Sequence, residues 1–270
     1  MKNRKFTVGG LFSGVGGIEL AFERAGFEIS WANEFDKNAC KTYRLNHPNH
    51  NLIEEDIYNL DPKKMAGYTL ILGPILALVC FFIQPGGVLQ IGGSAEPLDY
   101  AGQMKISSDN SGLGIITGIL VPVGLITLFS GIMFYIQSME GGNGFGLARI
   151  GLPFFLIATA GWTLASSIFI GFSSEISTNS DLAGLAFGIN IISSISFGTG
   201  GMILALAAST RNEVNKNVSY LAFIAATIVF LTNFILPFSP ESGTLFQGIA
   251  GICFIIYTVW SILIGRALTK

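Results

Sequence analysis

Hydrophobic and polar positions divide the chain into two regimes with different periods. Up to residue 64, short apolar runs alternate with segments of helical period. The run 5–12, KFTVGGLF, predicts a strand, and 17–27, GIELAFERAGF, predicts an amphipathic helix that turns Ile18, Leu20, Ala21, Phe22 and Ala25 inward. A second strand is expected over 28–34, EISWANE, and a second helix over 36–47, DKNACKTYRLNH, opened by Asp36 as its N-cap. A third strand is expected over 51–57, NLIEEDI. Strand, helix, strand, helix, strand is the first half of a doubly wound α/β domain.

Beyond residue 64 the alternation gives way to six long apolar spans, at about 66–84, 113–137, 147–172, 182–208, 218–238 and 244–265. Each is close to or above the roughly 20 residues a helix needs to cross a bilayer. The predicted fold is therefore mostly α: a six-helix transmembrane bundle preceded by a truncated, three-strand α/β segment. The intervening stretch 84–112, rich in Gly and Ser, reads as a mobile loop.

Composition sharpens this division. The 270 residues are 50% hydrophobic and only 12% charged, whereas about a quarter of the residues of a soluble domain carry charge. Residues 1–64 hold nine Lys/Arg and nine Asp/Glu, and residues 65–270 hold six and eight. Two domains are thus expected, 1–64 and 65–270, with Met65 reading as the start of a second protein joined behind the first, a chimera. Neither part has the basic excess that would attract a phosphate backbone. The basic start and the apolar run after it imitate a signal peptide, but glycines interrupt the run, Glu19 and Glu23 follow it, and no small-residue cleavage pattern closes it. Cys40, Cys80 and Cys253 are far apart and odd in number, so neither a disulfide framework nor a zinc site is read from them.

Candidate chemistry lies in the first regime. Between the first strand and the first helix runs 12–17, FSGVGG, where glycines allow a tight turn and the helix N-terminus offers N–H groups to a polar ligand. Glu34 ends the second strand about 20 residues on, where a carboxylate can accept both ribose hydroxyls of a nucleoside. Asp56, ending the third, could accept from an adenine amino group with Ile57 beside the ring.

At these residues the sequence resembles the DNA cytosine-5 methyltransferases. LFSGVGGIELAFERAGF is similar to the family's first motif, ANEFDKNACKTYRLNHP to its second and EEDI to its third. The resemblance implies a pocket for S-adenosylmethionine lined by Phe12, Gly14, Gly16, Glu34, Phe35, Asp56 and Ile57, with Phe35 where the family often has tryptophan. Glu55 departs from the glycine usual before the Asp-Ile pair. The family's next motif supplies a Pro-Cys pair whose thiolate attacks cytosine, and no Pro-Cys dipeptide occurs in this sequence. Cys40 reads as a helix-face residue, so no catalytic residue and no metal ligand is assigned. S-adenosylmethionine is the one cofactor implied.

Charge beside the spans sets the expected orientation. Lys63, Lys64, Arg149, Arg211, Lys216, Arg266 and Lys270 fall on one side, and Lys105 stands on the other with Glu96, Asp99, Asp109, Glu175, Asp181 and Glu241. Both termini are therefore expected in the cytoplasm, with the chain in the plasma membrane. Apart from Arg149, two residues into the third span, no charged residue or histidine falls inside a span, so the usual marks of proton or ion coupling are absent from the span interiors. Asn190, Asn233 and Gln247 are expected to form helix–helix hydrogen bonds, and the pairs Gly114/Gly118 and Gly184/Gly188 to pack helices closely, within one chain or between copies in an oligomer. The lipid bilayer is the expected partner, with DNA a partner only if a second polypeptide completes the methyltransferase. The functional reading is a six-span membrane protein carrying a methyltransferase fragment that is inactive alone. Its alternatives are the membrane-tethered half of a split methyltransferase and a small-solute transporter or channel.

Overall fold

A computed structural model describes residues 6–56, 62–96, 99–212 and 214–269. The chain divides into two compact units, 1–61 and 62–270.

In the first unit, β1 (Thr7–Gly10), β2 (Glu28–Asn33) and β3 (Leu52–Ile53) form a parallel sheet in the order β1-β2-β3, with α1 (Gly17–Arg24) and α2 (Lys37–Asn46) as the crossovers. Thr7 pairs with Glu28 and Ala32 with Leu52. The helix α2 begins where the sequence predicts, because the Asp36 carboxylate accepts from the N–H groups of Asn38 at 3.0 Å and Ala39 at 2.7 Å. Its inner face carries Cys40 and Tyr43, which join Ala32 and Leu52 in a small core. The helix α1 departs from expectation. Ile18 is 60% exposed, Leu20, Ala21, Phe22 and Ala25 are exposed as well, and its buried side chain is Glu19. The physical reason is the narrowness of the sheet: β1 is its edge strand, and among the described residues no fourth strand is present to cover the apolar side of α1. The third strand is also shorter than predicted, two residues in place of seven.

The second unit is helical: α3 (Pro62–Ile83), α4 (Tyr100–Asp109), α5 (Ser111–Ser138), α6 (Phe145–Ser173), α7 (Asp181–Ala208), α8 (Lys216–Ile235) and α9 (Gly243–Leu268). Among the described residues six helices, all but α4 of this unit, are long and apolar enough to cross a membrane. Their packing closes a ring, α3 against α5, then α6, α7, α8 and α9, which returns to α3. Inside lie Tyr135, Phe155, Phe197, Tyr257 and Trp260, while Leu72, Ile119, Ile126, Leu164, Ile192, Ile224 and Ile252 stand exposed on the outside. Apolar residues on both the inner and outer faces are what a helix needs when its surroundings are lipid.

Close approach replaces amphipathicity as the packing device. A Cβ added at Gly114 would lie 2.2 Å from Ser173 Oγ, and one at Gly118 would lie 2.6 Å from Ile170, so this pair seats α5 on α6 as expected. The second pair divides its roles, since Gly184 faces the Tyr100 ring while a Cβ at Gly188 would meet nothing within 4 Å. Hydrogen bonds between helices come from residues the sequence did not single out. Trp260 Nε1 donates to Ser219 Oγ at 3.2 Å, and Ser261 Oγ donates to the Leu70 carbonyl at 2.8 Å. Asn233 instead donates within its own helix to the Val229 carbonyl at 2.9 Å, and Asn190 and Gln247 are exposed. The expected loop 84–112 contains α4. Asp99 caps it by accepting from the Gly102 N–H at 2.9 Å, and Ser108 Oγ donates to Glu175 Oε1 at 2.9 Å. Being ten residues long and polar, α4 lacks the apolar run that made its neighbours legible.

Candidate functional site

The site is built on the turn between β1 and α1. Phe12, Gly14 and Gly16 all have positive φ, 52°, 54° and 93°, so the turn coils through left-handed backbone that only the two glycines adopt without strain. The Ser13 N–H donates to the Asn33 carbonyl at 2.9 Å, tying the turn to the end of β2. Gly16 has a second reason to be glycine, because a Cβ there would lie 2.3 Å from the His47 ring.

Glu34 organises this corner. It is 6% exposed, and its Oε2 accepts from the Gly14 N–H at 2.7 Å while Oε1 accepts from the N–H groups of Phe35 and Asp36, each at 2.9 Å. These bonds, the one from Asp36 foremost, hold its carboxyl below the usual carboxylate range against the opposing effect of burial. A carboxylate has about four acceptor positions, so three are already taken. A ribose reaching Glu34 would therefore share the carboxylate with these three backbone donors.

The remaining predicted residues are distributed around this corner. Phe35 is 58% exposed beside Glu34, and Phe12 is exposed on the turn. Space above Gly14 is open, with nothing within 4 Å of an added Cβ. Asp56 is half-buried after β3, and its position follows from Asn33, whose Nδ2 donates to the carbonyls of Ile53 at 3.1 Å and Glu55 at 2.9 Å. Ile57 lies outside the described residues. Cys40 is buried with its thiol donating to the Glu34 carbonyl at 3.4 Å; burial first, then the charges of Glu54 and Glu34, pushes its pKa up, the reverse of what a nucleophilic thiol needs.

Sequence reasoning missed the supports of the turn. Ser13 Oγ donates to Glu19 Oε1 at 2.5 Å, Asn46 Nδ2 donates to the Val15 carbonyl at 2.9 Å and His47 Nε2 donates to the Gly16 carbonyl at 3.0 Å. Asn46 and His47 stand at the end of α2, distant in sequence from the turn they hold. The one available signal was their polarity at a helix end.

Residues 6–74 match the family of C-5 cytosine-specific DNA methylases. The match runs past Pro62, so its last part lies on α3. The type II methyltransferase M.PspPI of Psychrobacter sp. (strain TA137) is 46% identical over 65 residues, which are 24% of this chain and 16% of that protein. The type II methyltransferase M.NgoPII of Neisseria gonorrhoeae is 60% identical over 47 residues, 17% of this chain and 14% of that protein. M.Bsp6I of Bacillus sp. (strain RFL6), also a type II methyltransferase, is 47% identical over 66 residues, 24% of this chain and 21% of that protein. The N-terminal region is thus similar to these enzymes. The chain spans only 14–21% of their lengths. No family matches the six long helices as a unit, and no solved structure matches the chain.

Homology to this family implies S-adenosylmethionine use in the family, a group against which the fit of the residues present can be tested. The open space above Gly14, the exposed Phe35 ring and the one remaining acceptor position on Glu34 suit the ribose and adenine end. Such a group would be held by the 12–17 turn, Glu34, Phe35 and Asp56.

Proposed function

We propose that the chain is a six-span integral protein of the plasma membrane whose N-terminal segment is a methyltransferase-like cofactor fold without methyl transfer of its own. What carries the membrane half is the pairing of apolar cores with apolar outer faces on six helices, none with a charge in its central turns. The positive residues flanking those helices support cytoplasmic termini. What carries the second half is the absence of a Pro-Cys pair anywhere in the sequence, together with the raised pKa of buried Cys40.

Incubating the purified chain with tritiated S-adenosylmethionine and unmethylated DNA tests this. The expected result is no label in DNA above a protein-free control, and incorporation by the chain alone would refute the proposal.

One observation favours a second reading, the tethered half of a split methyltransferase. Among the described residues β1 is an edge strand with no partner on its outer side, and Phe12, Val15, Ile18 and Leu20 in the turn and helix that follow it are exposed, a surface on which further strands of a second polypeptide could build. Label that enters DNA only when a polypeptide supplying the Pro-Cys motif is added would select this reading over the first.

A further inference from the structure

Both histidines of the chain, His47 and His50, meet Glu23 at one place on the first unit. His47 closes α2, His50 stands on the turn after it, and Glu23 reaches across from α1. Their ligating atoms, one from each residue, all lie within 4.8 Å of one another. His47 Nδ1 is 3.5 Å from Glu23 Oε2, and His50 Nε2 is 2.9 Å from Glu23 Oε1.

The proton positions make this cluster unusual. His47 is almost fully buried, and its Nε2 faces the Gly16 carbonyl at 3.0 Å, so that nitrogen carries the hydrogen because a carbonyl only accepts. In a neutral ring Nδ1 is then a bare lone pair aimed at a carboxylate oxygen, one acceptor facing another. A cation between them would satisfy both. For His50, the Tyr43 hydroxyl lies 2.9 Å from Nδ1, which leaves Nε2 directed at Glu23.

We propose that Glu23, His47 and His50 form a binding site for a zinc-class divalent cation. Two imidazoles and a carboxylate are a donor set suited to such ions, with one coordination position left for water. Each histidine already has the outer partner that metal-bound imidazoles characteristically have: Gly16 carbonyl for His47, and the Tyr43 hydroxyl for His50, which would accept once Nδ1 takes the hydrogen. The 3.5 Å between His47 Nδ1 and Glu23 Oε2 is close to the spacing of roughly 3.3 Å expected across a tetrahedral zinc. The two rings now stack at 4.6 Å with 14° between their planes, so one must tilt for both lone pairs to reach a common ion. His50 makes that tilt, since it is on a turn, while His47 is pinned by Gly16. Because His47 also holds the glycine turn, the ion would fasten α1, α2 and that turn together.

The test uses the full chain in detergent, purified without a polyhistidine tag and titrated with zinc in competition with a chromophoric chelator. One equivalent of zinc is expected to bind. Tyr43→Phe, which keeps the ring in place, is expected to weaken binding about tenfold, and Glu23→Gln and His50→Ala by about a hundredfold or more. Cobalt in place of zinc gives a readout on the unmodified chain, with the intense visible absorption of a four-coordinate ion expected. Failure of the wild-type chain to hold zinc against the chelator would overturn the proposal. Zinc affinity unchanged in the variants, or the weak spectrum of six-coordinate aqueous cobalt, would overturn it equally.

Discussion

Gly124→Val is expected to separate α3 from α5 and to destabilise the helical unit by about 3 kcal/mol, the upper end of what overpacking a filled interior costs. At this crossing the two backbones touch. A Cβ at Gly124 would lie 2.5 Å from the Ala77 nitrogen and 2.8 Å from the Gly73 carbonyl oxygen, and one at Gly73 would lie 2.4 Å from the Leu128 nitrogen. Side chains in the way can rotate aside, but main-chain atoms inside two helices cannot. The only relief is for the helices to move apart, which forfeits van der Waals contact along the interface that drives association in lipid. Gly251→Ala is the matching control, because a Cβ there meets nothing within 4 Å. Its expected effect is neutral to stabilising by up to about 1 kcal/mol, the difference in helix propensity. Thermal unfolding of both variants in detergent decides the matter, and equal midpoints would show that the crossing is not close-packed.

Glu34→Gln is expected to release the glycine turn. The substitution keeps the shape of the side chain but removes the charge that three backbone N–H groups share, and turns an amide NH2 toward at least one of those donors. Hydrogen bonds to a charged group contribute about 1.5–3 kcal/mol each, and allowing for their non-additivity the loss is about 3 kcal/mol. A unit of some 60 residues has little stability to spare, so hydrogen exchange at Gly14, Phe35 and Asp36 in the full chain should accelerate by two orders of magnitude or more. The same carboxylate sets a pH dependence. Its folded pKa is depressed below the ordinary 4.5, so its contribution is complete above that pH and is lost as the pH falls through the folded value. Protection that declines below pH 4.5 in the wild type and stays flat in Glu34→Gln is the expected pair of profiles. Parallel profiles would mean that Glu34 does not hold the turn.

The six long helices were legible because length and apolarity alone identify such a segment, whatever it packs against. Details that depend on neighbours were not. The inward face assigned to α1 is exposed because amphipathicity predicts a covering surface, and the three-strand sheet ends before supplying one. Asn233 bonds its own helix because the Val229 carbonyl is within reach, while Trp260 and Ser261 make the bonds between helices. In the candidate site the glycine turn and Glu34 could be read from spacing. That Glu34 already serves three backbone donors could not, since this depends on how the turn coils. The meeting of Glu23 with His47 and His50 was likewise hidden, because it exists only once α2 has folded back across α1.

Sidedness of two loops tests most directly whether the helices span a membrane with cytoplasmic termini. Ser94, between α3 and α4, and Asn212, between α7 and α8, are both exposed, and the native cysteines Cys40, Cys80 and Cys253 are buried and give a low background. In intact cells Ser94→Cys should react with an impermeant thiol reagent, and Asn212→Cys should react only after the membrane is permeabilised. If both positions react only after permeabilisation, or if the order is reversed, the proposed spanning arrangement is wrong.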